Sequence, residues 1–419
     1  MLDTPRSLRL AIGVFGRRNV GKSSLVNALV GQDVSIVSPE AGTTTDPVEK
    51  AMELAPLGPV VLIDTAGIDD VGVLGAQRAA RTEAAIDRTD LALIVTDVDG
   101  LGPDETRLLA AFRKADTPVV VVFGKADVAL PAAADLARLD RDGIAHVAVS
   151  AATGAGLPAL RAAIVAAAPE PALEQPRLLG DLVRPGALVV LVVPIDLGAP
   201  KGRLILPQVM AIRDLLDSDA SALVVKEREL RDTLDRLGRA PDLVVCDSQV
   251  VLKAAADTPE PIPLTTFSIL MARFKGDLVG FARGAAAIDR LRPGDRVLVA
   301  EACSHHALAD DIGRVKIPRW LRQYAGGDLA FDHTAGRDFP EDLSPYALVV
   351  QCGGCSVNRK QVTARQRRAA EQGVAMTNYG VAISRVQGVL PRALAVFPAA
   401  REAFEAASRA ATPLTAEPV

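Results

Sequence analysis

Short runs of consecutive apolar residues recur along the chain and alternate with segments of helical periodicity. The runs occupy residues 8–14, 60–63, 118–123, 145–149, 188–193, 221–225, 242–246, 296–300 and 347–350. Continuous apolar runs of this length are typical of strands that are buried on both faces of a parallel sheet. Helices are expected at residues 24–30, 206–216, 227–237, 276–291, 311–324 and 359–371. The alternation predicts an α/β fold with mostly parallel sheets.

The length of the chain, 419 residues, exceeds what a single hydrophobic core supports, so several domains are expected. Residues 169–176 are rich in Pro, Glu and Ala, a composition typical of a linker. We therefore expect a first domain, two further small α/β domains and a C-terminal tail. The predicted bounds are 1–170, 176–265, 266–400 and 401–419.

Composition and charge narrow the classes of function. A net charge of −4 and an aromatic content of 3% argue against nucleic-acid binding, which needs a basic surface and stacking side chains. The apolar runs are far shorter than a membrane span, and the N-terminus has no apolar signal region, so a cytoplasmic protein without a membrane partner is expected. Four cysteines are too few for a disulfide scaffold, which indicates reduced thiols.

The first apolar run leads into a phosphate-binding motif, Gly16-Arg-Arg-Asn-Val-Gly-Lys22-Ser23. Its glycines let backbone N–H groups wrap a β-phosphate, Lys22 neutralises the β and γ oxygens, and Ser23 binds Mg²⁺ at a helix N-terminus. A strand before the motif and a helix after it are the setting that such a loop requires. The predicted phosphate site consists of Gly16, Asn19, Gly21, Lys22, Ser23 and Ser24.

Two further segments are expected to contact the γ-phosphate and the metal. Asp64 begins the sequence Asp-Thr-Ala-Gly67, in which the carboxylate holds the water shell of Mg²⁺ and the Gly67 N–H meets the γ-phosphate. Thr44, with Thr43 as the second choice, is expected to reach Mg²⁺ only when the γ-phosphate is present. The predicted catalytic residues are therefore Lys22, Thr44, Asp64 and Gly67.

The base is expected to bind after the next two apolar runs. Gly-Lys125-Ala-Asp127 follows the first of these runs, and Ser150-Ala151 follows the second. Asp127 accepts hydrogen bonds from N1 and the exocyclic amine of guanine, which adenine does not supply, while the Lys125 stem covers the base. A wrong base would leave buried polar groups unpaired, at a cost of about 2–6 kcal/mol. GTP is therefore the expected nucleotide, bound by Lys125, Asp127, Ser150 and Ala151.

This ordered set of motifs, from residue 8 to about residue 168, resembles the translation-factor-like small GTPases, especially the branch of the tRNA-modification GTPase and the Era-type proteins. The resemblance implies GTP hydrolysis. Gly124 stands where that family has an Asn that braces the guanine pocket against the phosphate loop. Ile68 replaces the water-orienting Gln of Ras-like enzymes, so turnover should be slow. Asn19 matches the K⁺ ligand of potassium-activated members, which implies K⁺ activation, although it also suits a loop residue that satisfies its own backbone.

Three of the four cysteines form a second constellation. Cys303 and His305 follow one apolar run, and Cys352-Gly-Gly-Cys355 follows another. The crevice beyond the carboxyl ends of parallel strands is where ligands bind, so the two segments are expected to meet in space. Three thiolates with one open corner suit an iron–sulfur cluster or a structural zinc ion, and buried cysteines without a metal are the third alternative. Cys246, at the end of an apolar strand, is expected to lie in the core.

A small GTPase domain, a middle α/β domain, a Cys-x-His and a later Cys-x-x-Cys together resemble the GTPases that act in FeFe-hydrogenase maturation, over nearly the whole chain. This resemblance implies a homodimeric scaffold with a 4Fe-4S cluster on Cys303, Cys352 and Cys355. It also implies two kinds of partner: radical-SAM maturases, which supply a di-iron precursor, and the apo FeFe-hydrogenase that receives it.

One position departs from this second family pattern. The family commonly has His directly before the Cys-x-x-Cys, whereas this chain has Gln351. The fourth corner is therefore left to His305, His306, a nearby carboxylate or an exogenous ligand. The other function that stays open is a tRNA-modification or ribosome-associated GTPase with a structural zinc module.

Overall fold

A computed structural model describes residues 4–31, 48–65, 84–169, 177–194, 204–302, 311–336 and 338–411. The chain divides into two compact units, Met1–Gln175 and Pro176–Val419. Every helix within the described ranges is too short or too polar to cross a bilayer.

The strands of the first unit are β1 Leu10–Phe15, β2 Val48–Leu54, β3 Gly58–Asp64, β4 Leu91–Thr96, β5 Val119–Phe123 and β6 Ala145–Ala148. They form one sheet in the order β2-β3-β1-β4-β5-β6. Strand β2 runs antiparallel to β3, and the other neighbours are parallel. The predicted, mostly parallel sheet is confirmed, and β2 and β4 are strands that were not among the predicted apolar runs.

Helices cover both faces of this sheet, and they are α1 Lys22–Val30, α2 Pro103–Lys114, α3 Ala133–Arg141 and α4 Leu157–Ala167. Alternate residues of one strand point to opposite faces. Leu93 and Val95 accordingly belong to one apolar cluster, with α1 and α4, whereas Ile94 belongs to another, with α2 and α3. Burial on both faces explains why these strands read as continuous apolar runs.

The strands of the second unit are β7 Leu188–Val192, β8 Ser221–Val225, β9 Leu243–Cys246, β10 Leu264–Thr266, β11 Arg296–Ala300, β12 Ala330–Thr334, β13 Leu348–Gln351 and β14 Met376–Asn378. They form two parallel sheets, in the orders β10-β9-β7-β8 and β12-β11-β13-β14. One continuous apolar cluster spans both sheets. The predicted division of this region near residue 265 stays a prediction.

The helices of the second unit surround these sheets. They are α5 Leu206–Asp217, α6 Leu230–Arg236, α7 Val251–Asp257, α8 Phe267–Lys275, α9 Leu278–Ala285, α10 Ile317–Ala325, α11 Arg359–Glu371, α12 Tyr379–Val386, α13 Leu390–Ala393 and α14 Pro398–Ala411. Helix α14 extends past the boundary predicted at residue 400 and buries Phe404 in the core.

The helices predicted at 24–30 and 227–237 are Lys22–Val30 and Leu230–Arg236 in the structure, and two other predicted helices differ in their bounds for identifiable local reasons. The helix predicted at 276–291 begins only at Leu278, because the Asp277 side chain accepts hydrogen bonds from the N–H groups of Val279 and Gly280 and so caps the helix. It ends at Ala285, where a 3₁₀ helix follows. The helix predicted at 311–324 starts as a π-helical turn, and its α-helical part begins at Ile317, next to Pro318, which fits the first turn of a helix.

Candidate functional site

The phosphate-binding loop joins β1 to α1. At Gly16 φ is 145°, and a Cβ atom there would lie 2.2 Å from the Val95 carbonyl oxygen, so the loop requires glycine at this position. Lys22 is buried, and its Nζ donates to the carbonyl oxygens of Gly16 at 3.0 Å and Arg17 at 2.6 Å. The ammonium group is thus held over the loop at which phosphates are predicted to bind. Gly21 is the N-cap residue of α1, and Ser23 and Ser24 lie in the first turn of this helix.

The predicted magnesium ligands meet at the ends of neighbouring strands. Val14 of β1 pairs with Asp64 of β3, which brings the Asp64 carboxylate to the phosphate loop. Ser23 Oγ donates to Asp64 Oδ2 at 2.5 Å. The buried Oδ1 atom of Asp64 has no hydrogen-bond partner among the described residues. Hydroxyl and carboxylate oxygens of this kind are suitable ligands for Mg²⁺ and its water shell.

The other residues predicted to contact the γ-phosphate and the metal, Thr43, Thr44 and Gly67, lie outside the described ranges, and so does Ile68, which replaces the water-orienting Gln.

The two predicted base-binding segments come together because β5 and β6 are parallel neighbours. The Ala126 N–H donates to the Val149 carbonyl oxygen at 3.2 Å, and Ala151 follows the buried Ser150. A hydrogen bond from the Ser150 side chain lowers the pKa of the Asp127 carboxyl. Asp127 is therefore ionised and available as an acceptor at neutral pH. Guanine binding at this place stays a prediction.

Asn19 lies in the phosphate loop with φ of 62°. Asn tolerates this left-handed conformation better than most residues. The backbone geometry explains an Asn at this position, and the K⁺ role stays a prediction.

The second predicted site lies at the carboxyl end of the β12-β11-β13-β14 sheet. Strands β11 and β13 are parallel neighbours, with Ala300 paired to Gln351, and the Cys352 N–H donates to the Ala300 carbonyl oxygen at 2.9 Å. The two apolar strands that precede the cysteine segments therefore meet, whereas the predicted approach of Cys303 to Cys352 and Cys355 stays a prediction. The chain leads from β11 outward to β12 on one side of the sheet and from β13 outward to β14 on the other, so the adjacent ends of β11 and β13 form a switch point, the usual place for a ligand.

The Cys352 sulfur lies within a set of N–H donors. Its Sγ accepts hydrogen bonds from the backbone N–H groups of Ala302 at 3.1 Å and Gly354 at 3.4 Å. Gly354 has φ of 67°, a conformation that glycine adopts without strain and that turns its N–H to the sulfur. Burial raises the pKa of the Cys352 thiol, and the Gly354 N–H opposes this shift. Cys355 is exposed.

Cys303, His305 and His306 lie outside the described residues. Within the described ranges, no group of three or more His, Cys, Asp and Glu side chains is arranged to hold a metal ion. The last described residue before Cys303 is Ala302, which contacts Cys352 Sγ. Cys246, by contrast, is fully buried in β9, as predicted for a core residue.

The apolar and motif patterns did not indicate a buried polar group beside Cys352. Glu301, only 2% exposed, accepts hydrogen bonds from the Tyr379 hydroxyl at 3.4 Å and from Arg314 Nε at 3.4 Å. Burial and the nearby Cys352 raise the pKa of Tyr379 well above its ordinary value. The position of Glu301, directly after an apolar strand, is the one sequence signal that marks it.

Three segments of the chain match known families. Residues 178–276 match the hydrogen maturase F dimerization domain, and residues 279–396 match the hydrogen maturase F tetramerization domain. Residues 11–125 match a family described as 50S ribosome-binding GTPase. The chain thus carries a GTPase domain followed by two domains named for self-association.

Similarity to individual curated proteins lies in a limited part of the chain. The tRNA modification GTPase MnmE of Burkholderia thailandensis is 40% identical over 161 residues, which is 36% of this chain and 33% of MnmE. GTPase Der of Hyphomonas neptunium is 42% identical over 121 residues, or 28% of this chain and 24% of Der. The chain therefore spans a third or less of these relatives. A crystal structure of Aquifex aeolicus Era is 24% identical and covers 55% of this chain and 98% of Era, with a TM-score of 0.32.

Proposed function

Because the chain belongs to the hydrogen maturase F family, we propose that it is a GTP-hydrolysing iron–sulfur scaffold that delivers a di-iron precursor to apo FeFe-hydrogenase. The order of its domains supports this proposal. The likeness to tRNA modification GTPases involves only about a third of the chain, 36% for MnmE, whereas residues 178–276 and 279–396 match the two maturase domains. Modification of tRNA is therefore not proposed.

The observation that carries the proposal is the environment of the Cys352 sulfur. Two backbone N–H groups point at it, and such bonds stabilise the negative charge of cluster-bound thiolates. Ala302, one of the two donors, directly precedes Cys303, and Cys355 is exposed beside the same turn. We propose Cys303, Cys352 and Cys355 as ligands of a 4Fe-4S cluster. Such a cluster would supply one iron with an exchangeable fourth ligand, for which His305 is a candidate.

In the GTPase domain, the proposed roles follow from the contacts. Lys22 binds the β and γ phosphates, Ser23 and Asp64 hold Mg²⁺, and Asp127 selects guanine. Thr44 and Gly67 are proposed to sense the γ-phosphate, and Asn19 to bind K⁺. Slow, potassium-stimulated hydrolysis would then regulate the scaffold.

Self-association is proposed for the second unit. The dimerization match at 178–276 corresponds closely to the middle domain that we propose at residues 176–265. The tetramerization match at 279–396 lies within residues 266–400, which we propose as the cluster domain. We therefore propose a homodimer built through the middle domain, with the cluster domain available for a further association of dimers. The proposed partners are radical-SAM maturases and the apo-hydrogenase.

Anaerobic purification of the full chain tests the function. Iron and sulfide near four of each per chain, a brown colour and a cluster EPR signal after reduction are expected for a 4Fe-4S protein. Protein loaded with the di-iron precursor should activate apo FeFe-hydrogenase, and protein lacking the precursor should not. Zinc in place of iron, in colourless protein, would contradict the cluster, and a loaded protein that fails to activate the hydrogenase would contradict the delivery role.

A further inference from the structure

Gly124 lies directly against the phosphate loop. Its N–H donates to the Thr96 carbonyl oxygen at 2.7 Å, and a Cβ atom at this position would lie 3.1 Å from the Val20 carbonyl oxygen. A side chain with an amide at residue 124 would thus have a loop acceptor within reach. Glycine supplies no such contact, so any side-chain link between the guanine-binding segment and the phosphate loop must come from other residues.

Asp97, directly after β4, makes such a link. Its Oδ2 accepts a hydrogen bond from Lys125 Nζ at 3.0 Å, and its Oδ1 lies 3.5 Å from Arg17 Nη2. Lys125 belongs to the predicted guanine-binding segment and Arg17 to the phosphate loop. One carboxylate therefore contacts both segments. Its side chain is only 13% exposed, which limits competition from water.

The Arg17 end of this bridge is firmly anchored. Arg17 Nε donates at 2.9 Å to Oε1 of Glu105, a carboxylate with no exposed side-chain surface. Arg17 Nη2 also lies 3.3 Å from Thr96 Oγ1 and 3.4 Å from the Gly100 carbonyl oxygen. A buried carboxylate needs its cationic partner, so Glu105 holds Arg17 in place.

We propose that Asp97 braces the guanine-binding segment against the phosphate loop, by holding Lys125 and Arg17 together, in place of the side chain that Gly124 lacks. Asp97 is then a positioning residue, which keeps the Lys125 stem in place to cover the base. Without Asp97, the Lys125 side chain would become ordered only when the nucleotide binds, and the conformational entropy lost would weaken binding. Burial works to raise the pKa of Asp97, but the hydrogen bond from Lys125 and the charge of Arg17 keep it lowered, so the bridge is ionised at neutral pH. The inference rests on the proposed guanine-nucleotide binding.

Fluorescent GDP, titrated into the full-length chain, measures the effect. Asp97→Asn should weaken GDP binding by about tenfold, the loss of one charge-assisted hydrogen bond. Asp99→Asn is the matched control, because Asp99 also faces Arg17, at 3.6 Å, but is 71% exposed, and Lys125 bonds to Asp97 instead. It should weaken binding less than about twofold. Equal losses in the two variants would overturn the proposal.

A rescue experiment distinguishes the proposed bracing role of Asp97 from a general structural role of this residue. Gly124→Asn, combined with Asp97→Asn, should restore most of the GDP affinity, because the new amide reaches the Val20 carbonyl oxygen. Gly124→Ala in the same background adds only the Cβ atom and should not restore it. If Asn and Ala at residue 124 act alike, or if the Asn effect is the same with and without Asp97, the bracing role is wrong.

A second pair of variants keeps the test decisive if Asn at residue 124 prevents folding. Arg17→Gln should weaken GDP binding. The double variant with Asp97→Asn should bind GDP no more weakly than whichever single variant binds it less tightly, because both changes break the same bridge. Fully additive losses would overturn the proposal. Wild-type protein that does not bind GDP would overturn both the proposed nucleotide binding and this inference.

Discussion

The guanidinium of Arg365 donates a hydrogen bond of 3.0 Å to the side-chain oxygen of Gln351. A guanidinium only donates, so the Gln351 oxygen faces Arg365 and the amide nitrogen faces Cys352 Sγ, 3.5 Å away. Gln351 is fully buried, and Arg365 is also held by the Gly336 carbonyl oxygen at 2.7 Å. Gln351, the residue before the Cys-x-x-Cys, therefore turns its amide nitrogen toward the sulfur and its oxygen toward Arg365.

Removal of Arg365 should destabilise this arrangement. Arg365→Met leaves the buried side-chain oxygen of Gln351 and the partly buried carbonyl oxygen of Gly336 without this donor, and should lower the free energy of unfolding by about 2 kcal/mol. Denaturant titration of the full chain measures this change. Arg367→Met, on the same helix but 39% exposed, is the control and should change stability by less than about 0.5 kcal/mol. Similar losses in both variants would contradict the role of Arg365.

Replacement of Asp127 should change the preferred base. Asp127→Asn supplies a donor where guanine's amine needs an acceptor, whereas the carbonyl oxygen of xanthine accepts from it. Binding should move from GTP toward XTP, with at least about a tenfold loss of GTP affinity. Competition between the two nucleotides measures the change, and Asp142→Asn, at an exposed position of the same unit, is the control. Unchanged GTP preference would remove Asp127 from the pocket.

Hydrolysis should be faster in KCl than in NaCl at equal ionic strength. A cation bound by Asn19 would stabilise the charge that develops on the phosphates, and Na⁺ fits a K⁺-sized set of oxygens poorly. Phosphate release in the two salts measures this, and Asn19→Ala should abolish the difference. Lys22→Ala should stop hydrolysis in both salts. Equal wild-type rates in K⁺ and Na⁺ would mean that Asn19 only shapes the loop.

Serine replacements should identify the cluster ligands. Cys303→Ser, Cys352→Ser and Cys355→Ser should each lose most of the iron and sulfide, because a hydroxyl is a poor ligand for iron in a cluster. Cys246→Ala is the control, since this buried cysteine lies in β9 and should not affect iron content. GDP binding should persist in all four variants. Full iron and sulfide in the Cys303→Ser variant would contradict the ligand assignment.

A salt bridge of the second unit should make stability depend on acid pH. The hydrogen bond from Arg273 lowers the pKa of Asp181 below its ordinary value of 3.8. The stabilisation is therefore present above pH of about 4 and is lost as the pH falls through the lowered pKa. Asp181→Asn should lower stability by about 0.5 kcal/mol at neutral pH, and the difference from wild type should vanish in acid.

Melting curves across pH measure this effect of Asp181. Asp217→Asn is the control, because Asp217 pairs with Arg213 on an exposed helix surface and Arg213 is 75% exposed. A difference between Asp181→Asn and wild type that grows as the pH falls would have the wrong sign and contradict the assignment.

The strands that carry both sites could be predicted from the sequence. Their apolar runs are continuous because helices cover both faces of each sheet, so local composition reports burial directly. The phosphate loop was predictable for a related reason, since Gly16 and Lys22 act through a short segment whose backbone geometry depends on the residues within it. Helix bounds were less predictable where a local cap intervened, as at Asp277, which starts α9 later than the apolar pattern indicates.

Contacts between distant segments were decided only by the tertiary structure. Asp97 meets Lys125 and Arg17 because β1, β4 and β5 are neighbours in one sheet, and Gln351 meets Arg365 because α11 packs beside β13. No periodic pattern in the sequence relates such residues to each other, because the order of the strands and the packing of the helices set the distance between their side chains. The apolar runs and motifs indicated most of the strand ends at the two sites, although not the end of β4 that carries Asp97. The tertiary structure decided which of those ends face each other, because that depends on burying every apolar face at once.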